Sequence, residues 1–112
     1  MTRGDVVLAL FPNSDLITVK TRPALVVQRD NLQSGVSQVV LAMITSQMRR
    51  TGHPSRVSIL VASPVGRQSG LVTDSVVMTD NLVTVTVDAI NRVIGVLPVA
   101  DVDKALRHTL DL

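Results

Sequence analysis

Apolar residues fall along this chain in short runs separated by turn-forming residues, and the runs have the length of strands rather than helices. The first covers Gly4 to Leu10, with Val6, Val7, Leu8 and Leu10 as its apolar members, and is broken by Phe11-Pro12-Asn13-Ser14-Asp15. Leu16 to Thr21 shows no clean pattern and reads as a loop. A second strand is predicted over Pro23 to Gln28, opened by a proline where a lost N–H is tolerated. A third, near-continuous run over Gln38 to Thr45 has the character of a central strand. Val57 to Ala62 alternates loosely and gives a fourth, after which Ser63 to Gly70 reads as loop.

Ser75 to Met78 forms a fifth strand, Asp80-Asn81 a turn or bulge, and Val83 to Val87 a strictly alternating, half-buried strand. A single helical turn fits Asp88 to Asn91, and a last strand runs from Val93 to Leu97 with a bend at Gly95. Past Pro98 the period changes. Val99, Val102, Leu106 and Leu110 make an apolar stripe at helical spacing, with Asp101 and Asp103 leading and Lys104, Arg107 and His108 trailing, as the helix dipole favours. Many short strands and one terminal helix predict a mainly β fold: a small, strongly curved antiparallel sheet or barrel with a helix packed on it.

Length and composition narrow the function classes. At 112 residues and 46% apolar content, a single domain over 1–112 with a real core is expected. Without cysteine, disulfide and thiolate–metal frameworks are excluded. No run approaches a membrane span, and Met1-Thr2-Arg3-Gly4-Asp5 leads straight into a strand pattern, so a cytoplasmic protein is expected. The net charge is only +2, yet Arg49, Arg50, His53, Arg56 and Arg67 gather between positions 49 and 67, which permits an anionic partner on one face. Phe11 is the only aromatic residue, so any bound nucleic acid is held by phosphate contacts, hydrogen bonds and apolar walls rather than stacking platforms.

Candidate chemistry is sparse. Arg22 precedes Pro23 at the mouth of the second strand, and taken alone it is a solvated strand-end charge or a cation fixed at a rigid rim. Thr45-Ser46 places two hydroxyls where the third strand meets its loop, followed by Gln47 and Arg49. A cation paired with a neutral donor suits a phosphate better than a metal. The two histidines, His53 and His108, stand far apart in sequence, and no HExxH, calcium-type acidic loop, P-loop or nucleophile elbow is present. Neither a metal nor another cofactor is expected. Asp74, Ser75 and Asp80 flank the fifth strand as turn formers or as lining of the same rim.

The pieces, taken in order, resemble the MazF/PemK family of toxin endoribonucleases of type II toxin–antitoxin systems. They are Arg3-Gly4-Asp5-Val6-Val7, Phe11-Pro12 with Ser14-Asp15, Lys20-Thr21-Arg22-Pro23-Ala24-Leu25-Val26-Val27, Ile44-Thr45-Ser46-Gln47, Gly70-Leu71 with Asp74-Ser75-Val76-Val77, and Ile94-Gly95-Val96-Leu97. The resemblance implies an SH3-like antiparallel barrel with a C-terminal helix, usually a homodimer held in check by a cognate antitoxin. It also implies metal-independent, sequence-specific cleavage of single-stranded RNA, including mRNA, by 2′-hydroxyl attack.

Carried over residue by residue, the resemblance puts the catalytic Arg on Arg22 and the catalytic Thr on Thr45. Ser46, Gln47, Arg49, Asp74, Ser75 and Asp80 are supporting or RNA-binding candidates. One departure is Met78, which stands where several relatives carry an Arg. Which group takes the 2′-hydroxyl proton stays open. So does a non-enzymatic alternative: CcdB-like toxins, which bind DNA gyrase, share the fold, and a fold does not decide a function.

Overall fold

The computed structural model describes residues Met1–Leu112. Its strands are β1 (Asp5–Pro12), β2 (Val19–Val26), β3 (Gln38–Thr45), β4 (Arg56–Ile59), β5 (Ser75–Thr86) and β6 (Ile90–Val96). Helix α1 (Pro64–Ser69) lies between β4 and β5, and α2 (Ala100–Leu110) follows β6. Short 3-10 turns occupy Met48–Arg50 and Val87–Ala89, the second overlapping the helical turn expected over Asp88 to Asn91 at Asp88 and Ala89, because Ile90 and Asn91 already belong to β6. All six strands join in one antiparallel sheet in the order β4-β5-β3-β2-β1-β6, which curls into part of a barrel.

Near-continuous apolar runs form the middle of the sheet because both faces are covered. Val6, Leu25, Ala42, Ile44, Val77 and Ile59 pack on one face, where Leu97 from the connection after β6 and Val102 from α2 join them. Val7, Ala9, Ala24, Val26, Val39, Leu41 and Met43 pack on the other. Neighbours in sequence thus serve opposite cores, and a one-residue slip of any of these strands exchanges the two sets.

Three expectations change. First, β2 starts at Val19, so Lys20-Thr21-Arg22 lie in a strand paired with β1 through Phe11↔Lys20, Leu10↔Thr21 and Ala9↔Arg22. The polar side chains hid it, since backbone pairing with β1 rather than burial holds this half. Second, the strands at 75–78 and 83–87 are halves of one bent strand. Met43 pairs with Met78 and Ala42 with Leu82, leaving Thr79, Asp80 and Asn81 as a bulge. The buried Thr79 hydroxyl donates to the Ser55 carbonyl at 2.6 Å and meets the Thr109 hydroxyl of α2 at 2.8 Å, so the bulge is where the helix docks.

Third, 63–70 is not a loop but contains α1. Ser63 caps it by accepting from Gly66 N–H at 3.0 Å, Pro64 opens its first turn, and Gly70 closes it at φ 72°. This helix bridges the two edges of the sheet. A Cβ on Gly66 would meet the Leu60 carbonyl oxygen at 2.0 Å, and one on Gly95 of β6 would meet the Gln68 oxygen at 2.3 Å. Along α2 the buried stripe runs through Val102 and Ala105 with Leu106 beside it, whereas Leu110 is half exposed.

Candidate active site

The pleat of β2 sets the site. Val27 N–H donates to the Val40 carbonyl of β3 at 3.2 Å. Backbone direction alternates along a strand, so position 23 also faces β3. Proline has no N–H to offer there. The β2–β3 ladder accordingly stops at Ala24↔Met43, although both strands continue. Two residues further along each, Arg22 and Thr45 stand opposite one another across an unzipped end.

That opening is a cleft of about 410 Å³, lined on one wall by Lys20, Thr21, Arg22 and Pro23 and on the other by Ile44, Thr45, Ser46 and Gln47. Leu71, Val72, Thr73 and Ser75 close its third side. No carboxylate lines it, while Lys20 and Arg22 do, which makes it electropositive. Arg22 is exposed and enters neither ion pair of the chain. Its side chain shares the sheet face of Ala24 and Val26.

The Thr45 hydroxyl oxygen accepts from the Gln47 N–H at 3.2 Å. With that lone pair occupied, its own hydrogen is free to donate into the cleft. The Gln47 amide oxygen accepts from Arg49 Nη2 at 2.9 Å, which ties Arg49 to the cleft rim. Ser46 is exposed at the same rim.

The remaining candidates divide. Ser75 lines the cleft and is buried, its hydroxyl donating to the Thr73 carbonyl at 2.9 Å, so it shapes the third wall. Asp74 instead accepts from the Val61 N–H at 2.8 Å and holds the chain entering α1. Asp80 lies in the β5 bulge, outside the cleft lining, and pairs with Arg56 Nη2 at 2.8 Å. The hydrogen bond from Arg56 holds the Asp80 carboxyl below its ordinary range. Arg56 also donates to the Arg50 carbonyl at 3.2 Å, so this pair fastens β4, the β5 bulge and the preceding loop together.

His53 and His108 do not approach the cleft lining; their rings meet edge-on with centroids 6.0 Å apart. Met78 is half buried and paired with Met43, on the face where that residue packs. No group of three His, Cys, Asp or Glu side chains is placed to hold a metal ion.

Sequence reasoning missed Lys20 and Thr73 as lining residues. Lys20 had a usable signal: it stands two positions before Arg22, hence on the same strand face. Thr73 had none, since its place depends on how α1 returns the chain. The loop between β1 and β2 leaves Leu16 and Ile17 exposed. It is held by the Asp15 carboxylate, which accepts from the backbone of Ile17 at 2.9 Å and Thr18 at 3.1 Å. Those bonds lower the Asp15 pKa.

The family model for PemK-like, MazF-like toxins of type II toxin–antitoxin systems matches residues 2–110. Among solved structures, the Mycobacterium tuberculosis toxin MazF-mt6 is 27% identical, with 96% of this chain and 97% of that one covered at a TM-score of 0.72. An endoribonuclease in complex with its cognate antitoxin from a mycobacterial species is 22% identical, covering 100% of this chain and 96% of that one at 0.72. A chain of the MazE–MazF complex from Deinococcus radiodurans is 19% identical, covering 100% and 96% at 0.73. The last two likenesses are of fold. No curated protein matches the sequence.

Proposed function

The chain belongs to the PemK-like, MazF-like toxins of type II toxin–antitoxin systems, and from that premise we propose that it is a metal-independent, sequence-specific endoribonuclease acting on single-stranded RNA such as mRNA. The observation that carries this reading is the opposition of Arg22 and Thr45 in a carboxylate-free cleft. Cleavage proceeds by attack of a ribose 2′-hydroxyl on the adjacent phosphorus. A 2′-oxygen–phosphorus bond forms, the bond to the 5′-oxygen breaks, and the products are a 2′,3′-cyclic phosphate and a 5′-hydroxyl.

The phosphorane gains negative charge on its non-bridging oxygens, and a guanidinium donating two parallel hydrogen bonds matches that charge and geometry. Arg22 supplies it, free of any intramolecular partner. The Thr45 hydroxyl, oriented by the Gln47 N–H, donates to a second oxygen and keeps the phosphate in line. Lys20, Arg49 and Ser46 hold the flanking backbone, and a cleft lining without an aromatic side chain leaves apolar walls such as Leu71 and Val72 against the bases.

One neighbour is an endoribonuclease bound to its cognate antitoxin and others are MazE–MazF complexes. In keeping with them, the chain acts as one toxin domain over 1–112, pairs as a homodimer and is neutralised by a cognate antitoxin. The toxin reading places its action on RNA in the cytoplasm; separately, no helix is long and apolar enough to cross a membrane.

Incubating the purified protein with a long RNA in EDTA tests the reading. Fragments with 5′-hydroxyl ends are expected, and Arg22→Ala abolishes them while the protein still melts cooperatively. Intact RNA from the wild-type protein would overturn the enzymatic reading in favour of a gyrase-binding toxin.

A further inference from the structure

Arg22 is not the only cation that β2 turns toward the cleft. Lys20 stands two positions before it, so both side chains leave the same face of the strand, roughly 7 Å apart along it. Both are exposed and neither enters an ion pair.

The register explains why Lys20 stays unpaired. Its partner on β1 is Phe11, and the diagonal positions on that side are Ala9 and Asn13, none of them charged. Asp15, the nearest acid in sequence, has its carboxylate turned onto the Ile17 and Thr18 N–H groups and the Thr18 hydroxyl. On the other side the β2–β3 ladder has already stopped at Ala24↔Met43, so no strand covers Lys20 there.

The facing wall repeats the arrangement at Arg22. Two positions past Thr45 comes Gln47, also in the cleft lining. Its amide oxygen accepts from Arg49 Nη2 at 2.9 Å, which orients the amide and leaves its own N–H groups free to donate. Arg22 and Thr45 set a cation across from a neutral donor. Lys20 and Gln47 do the same one step along the same two walls. Two residues of β-strand span a distance comparable with that between successive phosphates of an extended nucleic-acid strand.

We propose that Lys20 and Gln47 form a second phosphate subsite, which holds the phosphate next to the scissile one. RNA then lies along β2 with successive phosphates at Arg22 and Lys20. The inference rests on the endoribonuclease reading and deepens it. The substrate is a linkage inside a strand, beside a second charged phosphate; a dinucleotide has one phosphate and lacks that hold. Lys20 binds and does not touch the reacting phosphorus.

The test uses the full chain and a short single-stranded oligonucleotide spanning a cleavage site mapped on long RNA. It carries 2′-deoxyribose at the cleaved nucleotide and on the 5′ side of each altered linkage, so it is not cut. A methylphosphonate, which removes the charge of one linkage, is placed at each linkage in turn. In the wild type, neutralising the scissile linkage and one of its two neighbours should each weaken binding about fivefold. Lys20→Gln abolishes the penalty at the neighbour and keeps the one at the scissile linkage; Arg22→Gln does the reverse. Lys20→Gln also lowers the slope of log affinity against log salt by about 0.7, the share of one phosphate on a single strand. On the all-ribose oligonucleotide it raises KM about fivefold while kcat barely moves.

Equal penalties at every linkage, or a neighbour penalty that survives Lys20→Gln, overturn the proposal and leave Lys20 as a general attractant. A fall in kcat as large as that in kcat/KM also overturns it, since Lys20 then acts on the reaction itself. Gln47→Leu gives a second, smaller loss at the same neighbouring linkage, and cooperative melting checks the fold of each variant. Should long RNA stay intact in EDTA, the enzymatic reading fails, and the same linkage scan on an RNA selected by binding decides the subsite. Absence of any RNA binding by the wild type overturns both.

Discussion

Arg22 and Thr45 stand opposite each other on adjacent strands, yet no backbone ladder joins the strands at that point. Pro23 is the reason. It sits where a donor is needed to continue pairing with Ile44, and the missing N–H leaves the strand ends apart by the width of a cleft.

Pro23→Ala restores that donor. It is expected to extend the β2–β3 ladder by one pair, protect the new amide at position 23 from exchange, and slow RNA cleavage by narrowing the cleft. One backbone bond contributes about 1 kcal/mol, and the lost proline rigidity offsets up to about 1 kcal/mol. Melting temperature should therefore barely move. Undiminished cleavage alongside a protected amide would sever the link between the open ladder and activity.

Charge alone should not suffice at position 22. Arg22→Lys keeps the cation but loses the two-pronged donor, and cleavage is expected to fall about 100-fold, the scale of losing one oriented donor to a transition-state oxygen. Single-turnover cleavage of one long RNA measures it. Equal rates for the two cations would mean that Arg22 only attracts the substrate.

At Thr45 the hydroxyl and the shape separate cleanly. Thr45→Ser keeps the donor, and Thr45→Val keeps the shape. The serine variant should cleave within about tenfold of the wild type and the valine variant about 100-fold or more below it. Stability should fall by about 1 kcal/mol or less in the valine variant, because only the exposed Gln47 N–H loses its acceptor. Urea melts run beside the kinetics would expose a folding artefact.

Gly95→Ala tests the bridge made by α1. The added methyl would lie 2.3 Å from the Gln68 oxygen and 2.4 Å from the Ser69 carbonyl carbon, both backbone atoms that cannot swing aside. Destabilisation of about 1–3 kcal/mol is expected, the usual range for overpacking. An unchanged urea midpoint would show that α1 does not press on β6.

Asp80 makes stability depend on acid. Its pKa is depressed in the folded state by the hydrogen bond from Arg56. The contribution is therefore complete above the ordinary carboxylate range and is lost as pH falls through the folded-state value. Asp80→Asn should lower the melting temperature at pH 7, and the gap to the wild type should close below about pH 4. A gap that persists at acid pH would assign the effect to the bulge geometry and not to the charge.

Much of this fold was written in apolar spacing. The runs at Val6–Val7, Leu25–Val27 and Val39–Ile44 gave three central strands because burial on both faces leaves a plain apolar signature. The start of β2 left none, since Lys20, Thr21 and Arg22 are strand members by backbone pairing and solvent-facing by side chain. For α1 the capping signals Ser63, Pro64 and Gly70 were present, but a six-residue helix is too short to show a period. The site was half legible. Arg22 and Thr45 could be matched to a family order, whereas their opposition follows from register, and Asp74 and Asp80 prove to be tied to Val61 and Arg56 outside the cleft lining.

The order in which the strands are made differs from the order in which they are joined. β1 is synthesised first among them, yet one of its two partners is β6, the last. Arg3 reaches across 100 positions to pair with Asp103 on α2, and the same side chain donates to the Val27 carbonyl at the exit of β2. Such long closures are slow and come late in folding. A chain still on the ribosome therefore carries Arg22 and Thr45 on β2 and β3 before β6 has closed the far side of β1 and before α2 covers the sheet. The Arg3–Asp103 and β1–β6 closures can form only after translation has passed Asp103, so the sheet that carries the two residues is sealed as a late event rather than strand by strand.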